Sequence, residues 1–278
     1  MALAAAVGMP VAATVPPGQC VFGEDWSKSP LLERSQVTHD TILLTFGLAD
    51  AGKPMGLSTC ACILAKFDEE GSPDPIVRPY TPVSTNAMLG KFQLVVKVYP
   101  GGKMSQYMLQ MPIGGTLEFK HIPFNVKIQY PFNKKSLTML VGGTGITPMV
   151  QALHAILGTS TDVTKVSMIF GNKTQADILC GDILDSWEKA FPEKLKVVNI
   201  LSNAAEDSSW TGEKGFITAD VIKKYAAGGP EDDTMVWVCG PPIMYEKICG
   251  PRDKGGVPTE LVGALKEAGY KPEQVFKF

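Results

Sequence analysis

At residues 137–148 the chain runs LTMLVGGTGITP, an apolar stretch followed by three glycines within four residues and then a proline. The apolar run predicts a buried strand, and residues 148–157 after it have a helical pattern. Strand, glycine-rich turn and helix in this order form the setting that a dinucleotide phosphate site requires. The motif is not G-x-G-x-x-G, and a plain strand-to-helix turn would need only one or two glycines. The third glycine favours a ligand.

Downstream of this stretch, short apolar runs alternate with helical segments. The runs are 166–170, 197–201 and 235–238, and the helical segments are 175–189, 218–226 and 260–268. Such alternation predicts a parallel sheet with helices on both faces, which binds its ligand at the carboxyl ends of the strands.

Upstream of it, short β-rich runs are separated by glycine and proline turns. The runs are 41–46, 60–67, 92–99, 116–120 and 126–130, with one helix candidate at 103–111. This pattern predicts a small antiparallel barrel. The predicted fold is therefore an antiparallel β-barrel domain at 20–130, a linker at 131–136 and a Rossmann-like α/β domain at 137–278.

Composition agrees with two packed domains and excludes some classes of protein. The 278 residues are 45% hydrophobic and 19% charged, and the net charge of −2 offers no basic field for nucleic acid. Six cysteines lack disulfide or metal-ligand spacing, so we interpret them as small buried side chains in a reducing compartment, with Cys60 and Cys62 on a strand. Three isolated histidines predict no metal site. We expect His154 to be an ordinary helix residue and His39 to contact the interior of the first domain.

The first 17 residues are small and apolar but contain no lysine or arginine. They are too short to span a membrane and lack the charged start of a signal peptide. The residues leave open whether this segment is the remainder of an anchor or a disordered tail.

Two motifs in the first half suggest a bound planar ring system that carries a pyrophosphate. Residues 78–84, RPYTPVS, offer a phosphate-binding arginine, a flat aromatic ring and hydroxyls on a proline-stiffened backbone. Residues 101–105, GGKMS, precede a helix, whose free N–H groups attract an anion. An ordinary strand with a surface arginine, and a plain capped helix entry, are the alternatives.

Two further motifs lie near the end of the chain. CGPPIM at 239–244 puts a thiol at the end of a predicted parallel strand, where a nicotinamide would reach the flavin; a buried core thiol is the alternative. VFKF at 275–278 carries two aromatic residues, which predicts a tail fixed by packing, over a flavin, a barrel edge or plain core.

Together and in this order, the motifs resemble the ferredoxin reductase superfamily, and most closely the NADH–cytochrome b5 reductases. The resemblance runs from about residue 31 to residue 278 and includes KVY at 97–99, GGKMSQY at 101–107 and GGTGITPM at 142–149. It implies FAD and NADH as cofactors, and cytochrome b5 or a similar haem protein as electron acceptor. It also implies that the cofactors carry out the hydride transfer, with no nucleophile and no metal site.

The resemblance assigns a role to each matching residue. It implies that Thr81, near flavin N5, and Cys239, near the nicotinamide, are the catalytic positions. The other FAD contacts that it implies are Arg78, Pro79, Tyr80, Ser84, Val96, Val98, Tyr99, Gly102, Lys103, Met104, Ser105, Thr147 and Phe278. The nucleotide contacts that it implies are Lys97, Gly143, Thr144, Gly145, Ser202, Gly240, Pro241 and Met244.

Three departures from the family pattern concern the periphery of these sites. Cys60-Ala61-Cys62 replaces Gly-Gln-His, and residues 120–125 replace the loop near the FAD adenine. The segment 120–132 resembles a plant and algal branch of reductase-like proteins, some of them mitochondrial. Ser202-Asn203 replaces the acidic residue that would bind the adenosine ribose and repel a 2′-phosphate, while no arginine is adjacent to attract that phosphate.

Two other functions stay open on the residues alone. One is the reductase module of a nitrate reductase-like system, and the other is a flavin-binding regulatory protein without turnover. The second dinucleotide site and the thiol favour an enzyme over a sensor. The sequence does not choose between the endoplasmic reticulum surface, the outer mitochondrial membrane and the mitochondrion, or decide whether the protein attaches peripherally to a membrane.

Overall fold

The structure, a computed structural model, describes residues 2–122, 128–204, 209–252 and 259–278. Contacts divide the chain into two compact units. The first unit contains Met1–Phe132 and Thr147–Thr159, and the second contains Asn133–Ile146 and Ser160–Phe278. The boundaries of the cofactor-binding domains given above stay a prediction.

The first unit is built on a six-stranded antiparallel sheet in the order β4-β3-β6-β1-β2-β5. Its core is centred on four phenylalanines, Phe22, Phe46, Phe92 and Phe119, whose ring centroids lie 5.0–5.7 Å apart in the pairs that touch. Burying several large aromatic rings in one cluster dominates the energetics of a core of this size. The strands are β1 Ser27–Thr38, β2 Thr41–Gly47, β3 Ile63–Phe67, β4 Ile76–Tyr80, β5 Lys91–Lys97 and β6 Thr116–Lys120, and the helices are α1 Ala2–Val7, α2 Lys103–Gln110 and α3 Ile146–Gly158.

The second unit is built on a six-stranded parallel sheet in the order β10-β9-β8-β7-β11-β12. From β7 the chain moves outward through β8 and β9, and then returns to β11 on the other side of β7. The order of the strands therefore reverses between β7 and β11, which is where doubly wound sheets open a ligand crevice. The elements are β7 Ser136–Gly142, β8 Lys165–Asn172, β9 Leu195–Leu201, β10 Glu213–Lys214, β11 Thr234–Cys239, β12 Val275–Lys277, α4 Gly181–Ala190, α5 Ala219–Tyr225, α6 Pro242–Ile248 and α7 Gly263–Glu267.

These two sheets confirm the predicted fold class, an antiparallel sheet domain followed by a parallel α/β domain. The helix predicted at 103–111 and the strand predicted at 116–120 are present within one residue of their predicted bounds. The strands predicted at 137–141, 166–170, 197–201 and 235–238 are also present, each extended by one or more residues.

Several predicted elements differ from the structure. The strand predicted from residue 60 begins only at Ile63, because Cys60 has φ 65°, a left-handed conformation that interrupts an extended chain. Cys60 and Cys62 are therefore not on a strand. The helix predicted at 175–189 is divided by Cys180, at φ 59°, into a 3₁₀ turn and α4. The strand predicted at 92–99 ends at Lys97, and the helix predicted at 260–268 shrinks to α7.

The strand predicted at 126–130 lies partly outside the described residues. Residues 128–130 are described and have no strand structure, whereas 126 and 127 are not described.

The start of the chain packs on the first unit, which disfavours the disordered tail, one of the two alternatives that the sequence left open. Leu3 and Val7 of α1 are each only 6% exposed. The backbone N–H of Val11 donates to His154 Nδ1 on α3 at 3.1 Å, and Asn86 Nδ2 donates to the carbonyl of Ala13 at 3.1 Å. Among the residues described, no helix combines the length and the apolar character needed to cross a membrane.

Candidate cofactor-binding sites

The start of α2 in the first unit is the position predicted to bind a phosphate. Gly102 caps this eight-residue helix without a side-chain hydrogen bond, so the cap residue leaves the first backbone N–H groups of the helix available to an anion. A Cβ at Gly102 would lie 2.5 Å from Ser105 Oγ, so the turn requires glycine. Ser105 Oγ donates to the carbonyl of Gly102 at 3.0 Å and accepts the N–H of Tyr99 at 3.2 Å, which fixes the turn onto the end of β5.

The segment 78–84 begins on the edge strand β4, where one side is free of a strand partner. The guanidinium of Arg78 is exposed, and its Nη1 donates to the carbonyl of Val77 at 2.7 Å. Burial raises the pKa of the half-buried Tyr80 to about 12, so its hydroxyl stays a neutral donor at physiological pH. An exposed cation beside a buried neutral phenol suits a ligand that has a phosphate and a flat ring.

The buried end of this segment is held by α3. Gln151 Nε2 donates to the carbonyl oxygens of Pro82 and Ser84, at 2.7 and 2.8 Å. Ser84 Oγ also accepts the backbone N–H of Gln93 on β5 at 2.9 Å. These buried bonds fix the backbone on which Thr81 sits half-exposed, and such fixed first contacts are what a cofactor site needs.

The cations and side chains predicted around the flavin differ in their surroundings. Lys97 Nζ lies 2.6 Å from Asp40 Oδ2, and Lys103 Nζ lies 2.6 Å from Glu69 Oε2. The pKa of Asp40 is lowered on balance, because hydrogen bonds from Lys97 and from two threonine hydroxyls outweigh burial, which acts to raise it. Of the remaining predicted positions, Tyr99 is exposed, Val98 is half-buried, and Val96, Met104 and Thr147 are buried.

In the second unit, the glycine-rich turn after β7 lies against the turn after β11. A Cβ at Gly145 would overlap the carbonyl oxygen of Cys239, and a Cβ at Gly142 would lie 2.8 Å from Met244 Sδ. Gly143 has φ 52°, and open space surrounds its missing Cβ. The turn therefore packs on β11 through two glycines and faces open space at the third, with Thr144 half-exposed beside it.

Cys239 ends β11 at this switch point, and Gly240 and Pro241 follow it. Its thiol is half-buried, and burial raises the pKa of Cys239 to about 11, so the side chain is a neutral thiol rather than a nucleophilic thiolate. A neutral thiol at this position is compatible with the predicted contact to a ring.

The end of the sequence is fixed beside Cys239. The N–H of Phe278 donates to the carbonyl of Val238 at 3.1 Å, and its main-chain oxygen accepts the Tyr245 hydroxyl at 2.7 Å. The ring of Phe278 packs edge-on against Trp237, with centroids 5.4 Å apart. The predicted packing of the tail is therefore present, and its partners are in the second unit.

Ser202 and Asn203 follow β9, at the same edge of the sheet. Ser202 donates its N–H to the carbonyl of Asn172 at 3.0 Å and its hydroxyl to Asn203 Oδ1 at 3.3 Å. Lys173, which follows β8, is exposed, and its carbonyl accepts the N–H of Asn203 at 2.9 Å. Described neighbours of the predicted ribose position thus include a lysine that sequence reasoning did not consider.

The histidines do not all occupy the expected surroundings. His39 is in an exposed hairpin turn with 61% of its side chain accessible, and it lies 3.5 Å from Asp40, so the expected interior contact is wrong. His154 is buried on α3, and burial lowers its pKa to about 4. The described residues 120–122 include buried His121, whereas 123–125 of the predicted adenine loop lie outside the described residues.

Comparisons with known proteins cover both units. Residues 28–123 match the oxidoreductase FAD-binding domain, and residues 139–250 match the oxidoreductase NAD-binding domain. NADH-cytochrome b5 reductase 2 of Aspergillus clavatus is 40% identical over 258 residues, which cover 92% of this chain and 78% of that protein. The chain belongs to the NADH–cytochrome b5 reductase family.

Other relatives agree with this family. NADH-cytochrome b5 reductase 2 of Saccharomyces cerevisiae is 39% identical over 262 residues, which cover 92% of this chain and 84% of that protein. The crystal structure of the cytochrome b5 reductase domain of Ulva prolifera nitrate reductase superposes with a TM-score of 0.76 and 27% identity, covering 96% of this chain and all of that one. Like other members of the NADH–cytochrome b5 reductase family, the protein is an oxidoreductase with FAD- and NAD-binding domains.

The residues present fit these two cofactors. The exposed Arg78 and the available N–H groups of α2 suit a pyrophosphate, and the open side of Gly143 leaves room for a second one. Sequence reasoning missed Gln151 and Tyr245, and also Arg252, whose Nη1 lies 3.4 Å from the main-chain oxygen of Phe278. Tyr245 directly follows the 239–244 motif, so extending that motif by one residue would have found it; Gln151 and Arg252 act through distant backbone atoms and leave no signal in the spacing.

Proposed function

We propose that the protein takes a hydride from NADH onto FAD and passes single electrons to cytochrome b5 or a similar haem protein. The observation that carries the proposal is the pair of glycine-containing turns that open towards a helix, one at 102–105 in the first unit and one at 142–145 at the strand reversal of the second. A protein that only bound a flavin would have no use for the second turn.

Bound FAD supplies the redox chemistry, because it accepts a hydride and releases electrons one at a time. The chain's own residues bind and orient. In this proposal Arg78 and the N–H groups of residues 103–105 hold the FAD pyrophosphate, while Tyr80 and Thr81 contact the flavin ring. In the second unit the turn at 143–145 holds the phosphates of the nucleotide, and Cys239 with Gly240 contacts its nicotinamide end.

The remaining predicted contacts belong to the same proposal. They are Pro79, Ser84, Val96, Lys97, Val98, Tyr99, Met104, Thr147, Ser202, Pro241, Met244 and Phe278. Lys97 is oriented by Asp40, so its contribution to nucleotide binding would come from a cation already held in place.

Anaerobic mixing tests this function. The purified protein loaded with FAD is mixed with NADH, with NADPH and, after reduction, with oxidised cytochrome b5. We expect rapid loss of flavin absorbance with NADH and its recovery with cytochrome b5. A flavin that stays oxidised with both nucleotides would exclude the enzyme and leave a flavin-binding regulatory protein.

The similarity to the nitrate reductase domain of Ulva prolifera suggests a second electron acceptor to test, the haem domain of a nitrate reductase. That domain covers 96% of this chain at a TM-score of 0.76. If the reduced protein transfers electrons faster to the haem domain of a nitrate reductase than to free cytochrome b5, the chain serves as a module of such a system.

A peripheral membrane association and a mitochondrial setting are narrower parts of the proposal. They are supported by the resemblance of 120–132 to reductase-like proteins that include mitochondrial ones. The packing of Leu3 and Val7 argues that α1 itself is not the attachment. Flotation with phosphatidylcholine vesicles, with and without cardiolipin, tests the association, and a protein that stays at the bottom of the gradient with both would contradict it.

A further inference from the structure

The Tyr245 hydroxyl, on α6, lies between the turn after β11 and Phe278, which follows β12, at the nicotinamide end of the proposed site. It donates to the main-chain oxygen of Phe278 at 2.7 Å. Gly240 and the side chain of Cys239 also lie close enough to this hydroxyl to influence the pKa of Tyr245. One buried hydroxyl therefore contacts the turn after β11 and the residue that continues β12.

Arg252 acts on the same oxygen from the other side. Its Nη1 lies 3.4 Å from the Phe278 oxygen, and its guanidinium lies 5.1 Å from the centroid of the Tyr245 ring. The two side chains thus support each other through a cation–π contact and share one acceptor. Since burial raises the pKa of Tyr245, its hydroxyl remains a donor at every functional pH.

We propose that Tyr245 is a positioning residue for hydride transfer, which with Arg252 fixes Phe278 and the Cys239–Gly240 turn against each other. The inference rests on the proposed function. In the proposed function the turn at 143–145 holds the phosphates and packs on Cys239 through Gly145, whereas Tyr245 and Arg252 fix the chain next to Cys239 through Phe278. Losing the contacts to Phe278 should disturb the alignment of the ring more than the affinity for the whole nucleotide.

The matched control is Tyr270. Its buried hydroxyl donates to the carbonyl of Gly228 at 2.6 Å, and Gly228 packs on Ser136 and Thr234, the first residues of β7 and β11. Tyr270→Phe therefore removes an equally buried hydrogen bond from the same unit at the opposite edge of the sheet. A general loss of stability would affect both variants alike.

The first measurement needs no activity. Amide hydrogen exchange followed by mass spectrometry reports the Phe278 N–H, which is bonded to Val238. We expect Tyr245→Phe and Arg252→Gln each to speed exchange in the 275–278 peptide, whereas Tyr270→Phe leaves it unchanged. Unchanged exchange in both Tyr245→Phe and Arg252→Gln would overturn the proposal.

The second measurement is kinetic, with ferricyanide as acceptor. We expect Tyr245→Phe to lower kcat about fivefold or more, with KM for NADH within about twofold, and to increase the isotope effect for NADH deuterated at the transferred position. Tyr270→Phe should change none of these, and the Tyr245→Phe/Arg252→Gln double variant should be no worse than the poorer single variant. Additive losses of kcat in the double variant would overturn the proposal, and so would an isotope effect in Tyr245→Phe equal to that of Tyr270→Phe. If NADH cannot reduce the flavin of the wild-type protein, the proposed function itself is refuted.

Discussion

Arg78 is the residue on which FAD retention should depend most. Its guanidinium is exposed on the edge strand β4, and a charge-assisted bond to phosphate is worth about 1.5–3 kcal/mol. We expect Arg78→Ala to weaken FAD binding roughly 10- to 100-fold, measured by flavin fluorescence during titration. Lys28→Ala, which removes an exposed cation from β1, should retain FAD. Full flavin content in Arg78→Ala after gel filtration would contradict the assignment.

Ser202 is the residue on which nucleotide preference should depend. An acidic side chain at the end of β9 would bind the ribose hydroxyls of NADH and repel the 2′-phosphate of NADPH, and Ser202 supplies neither effect. We expect Ser202→Asp to raise the ratio of kcat/KM for NADH to that for NADPH by about tenfold. Ser160→Asp adds the same charge elsewhere and should leave the ratio as it is. An unchanged ratio in Ser202→Asp means that the ribose contacts another position.

The stability of the first unit should depend on pH through the buried side chain of His154. Burial lowers its pKa from 6.5 to about 4, so between these values the unfolded chain binds a proton that the folded chain does not. The stability is complete above pH 6.5 and is lost as the pH falls through 4, by up to about 3 kcal/mol. His154→Asn keeps an acceptor for the Val11 N–H without a titrating ring.

The measurement is chemical denaturation of both proteins between pH 7 and pH 4. We expect the free energy of unfolding to fall more steeply with decreasing pH in the wild type than in His154→Asn. Burial also lowers the pKa of His121, so a residual slope common to both proteins is expected. Parallel curves would show that His154 does not titrate as described.

At the scale of elements, the contact between the β7 and β11 turns is the tightest feature of the nucleotide site. Because a Cβ at Gly145 would overlap a backbone oxygen, Gly145→Ala must push the two turns apart. We expect a loss of about 1–3 kcal/mol in stability together with weaker NADH binding, while FAD content stays normal. Gly171→Ala on β8 places its Cβ 3.6 Å from the nearest atom and should change neither property. Calorimetry and nucleotide titration of both variants check this.

The elements that the sequence predicted correctly are those with a local pattern of apolar residues. The β7 and β11 strands are nearly continuous apolar runs, because a central parallel strand is buried on both faces, and this leaves a clear signature. The predictions at Cys60 and Cys180 failed because both residues have a left-handed backbone, a conformation that a sequence pattern indicates at glycine but not at cysteine.

The features of the candidate sites also fall into two groups, those with a local sequence pattern and those without one. Its glycine turns follow from strand–turn–helix order and could be placed in advance. The bonds from Gln151 to Pro82 and Ser84 join residues 67 or more positions apart, and those from Tyr245 and Arg252 reach Phe278 across 33 and 26 positions. Side-chain bonds to distant backbone atoms have no characteristic spacing, so no reading of the sequence alone could supply them.

At the scale of the whole molecule, the structure changes which lysine should steer an acidic partner such as cytochrome b5. Lys134 Nζ lies 2.9 Å from Asp233, and Lys103 is paired with Glu69, whereas Lys135 is exposed. Lys134→Glu would place two acidic side chains next to each other. A change in docking could then not be distinguished from the effect of repulsion within the second unit. Lys135 also lowers the pKa of Asp233 but less than Lys134 does, so Lys135→Glu should disturb the second unit less than Lys134→Glu.

We expect Lys135→Glu to raise KM for cytochrome b5 several-fold at low salt, because steering acts on association and is screened beyond roughly 8–10 Å near physiological ionic strength. Turnover with ferricyanide should change much less. Lys271→Glu, an exposed reversal of the same size, should leave KM for cytochrome b5 unchanged. A loss that is independent of salt, or equal for both acceptors, would exclude Lys135 from the docking surface.

The membership of α3 in the first unit has a consequence for how the protein is made. Residues 147–159 belong with Met1–Phe132, and β7 of the second unit is synthesised between them. While the ribosome has released only residues 1–132, the carbonyls of Pro82 and Ser84 have no Gln151, and Val11 has no His154. The first unit can therefore complete its interior only after the opening strand of its neighbour has emerged. A gene cut at residue 132 should therefore yield a first unit that is incomplete and prone to aggregate.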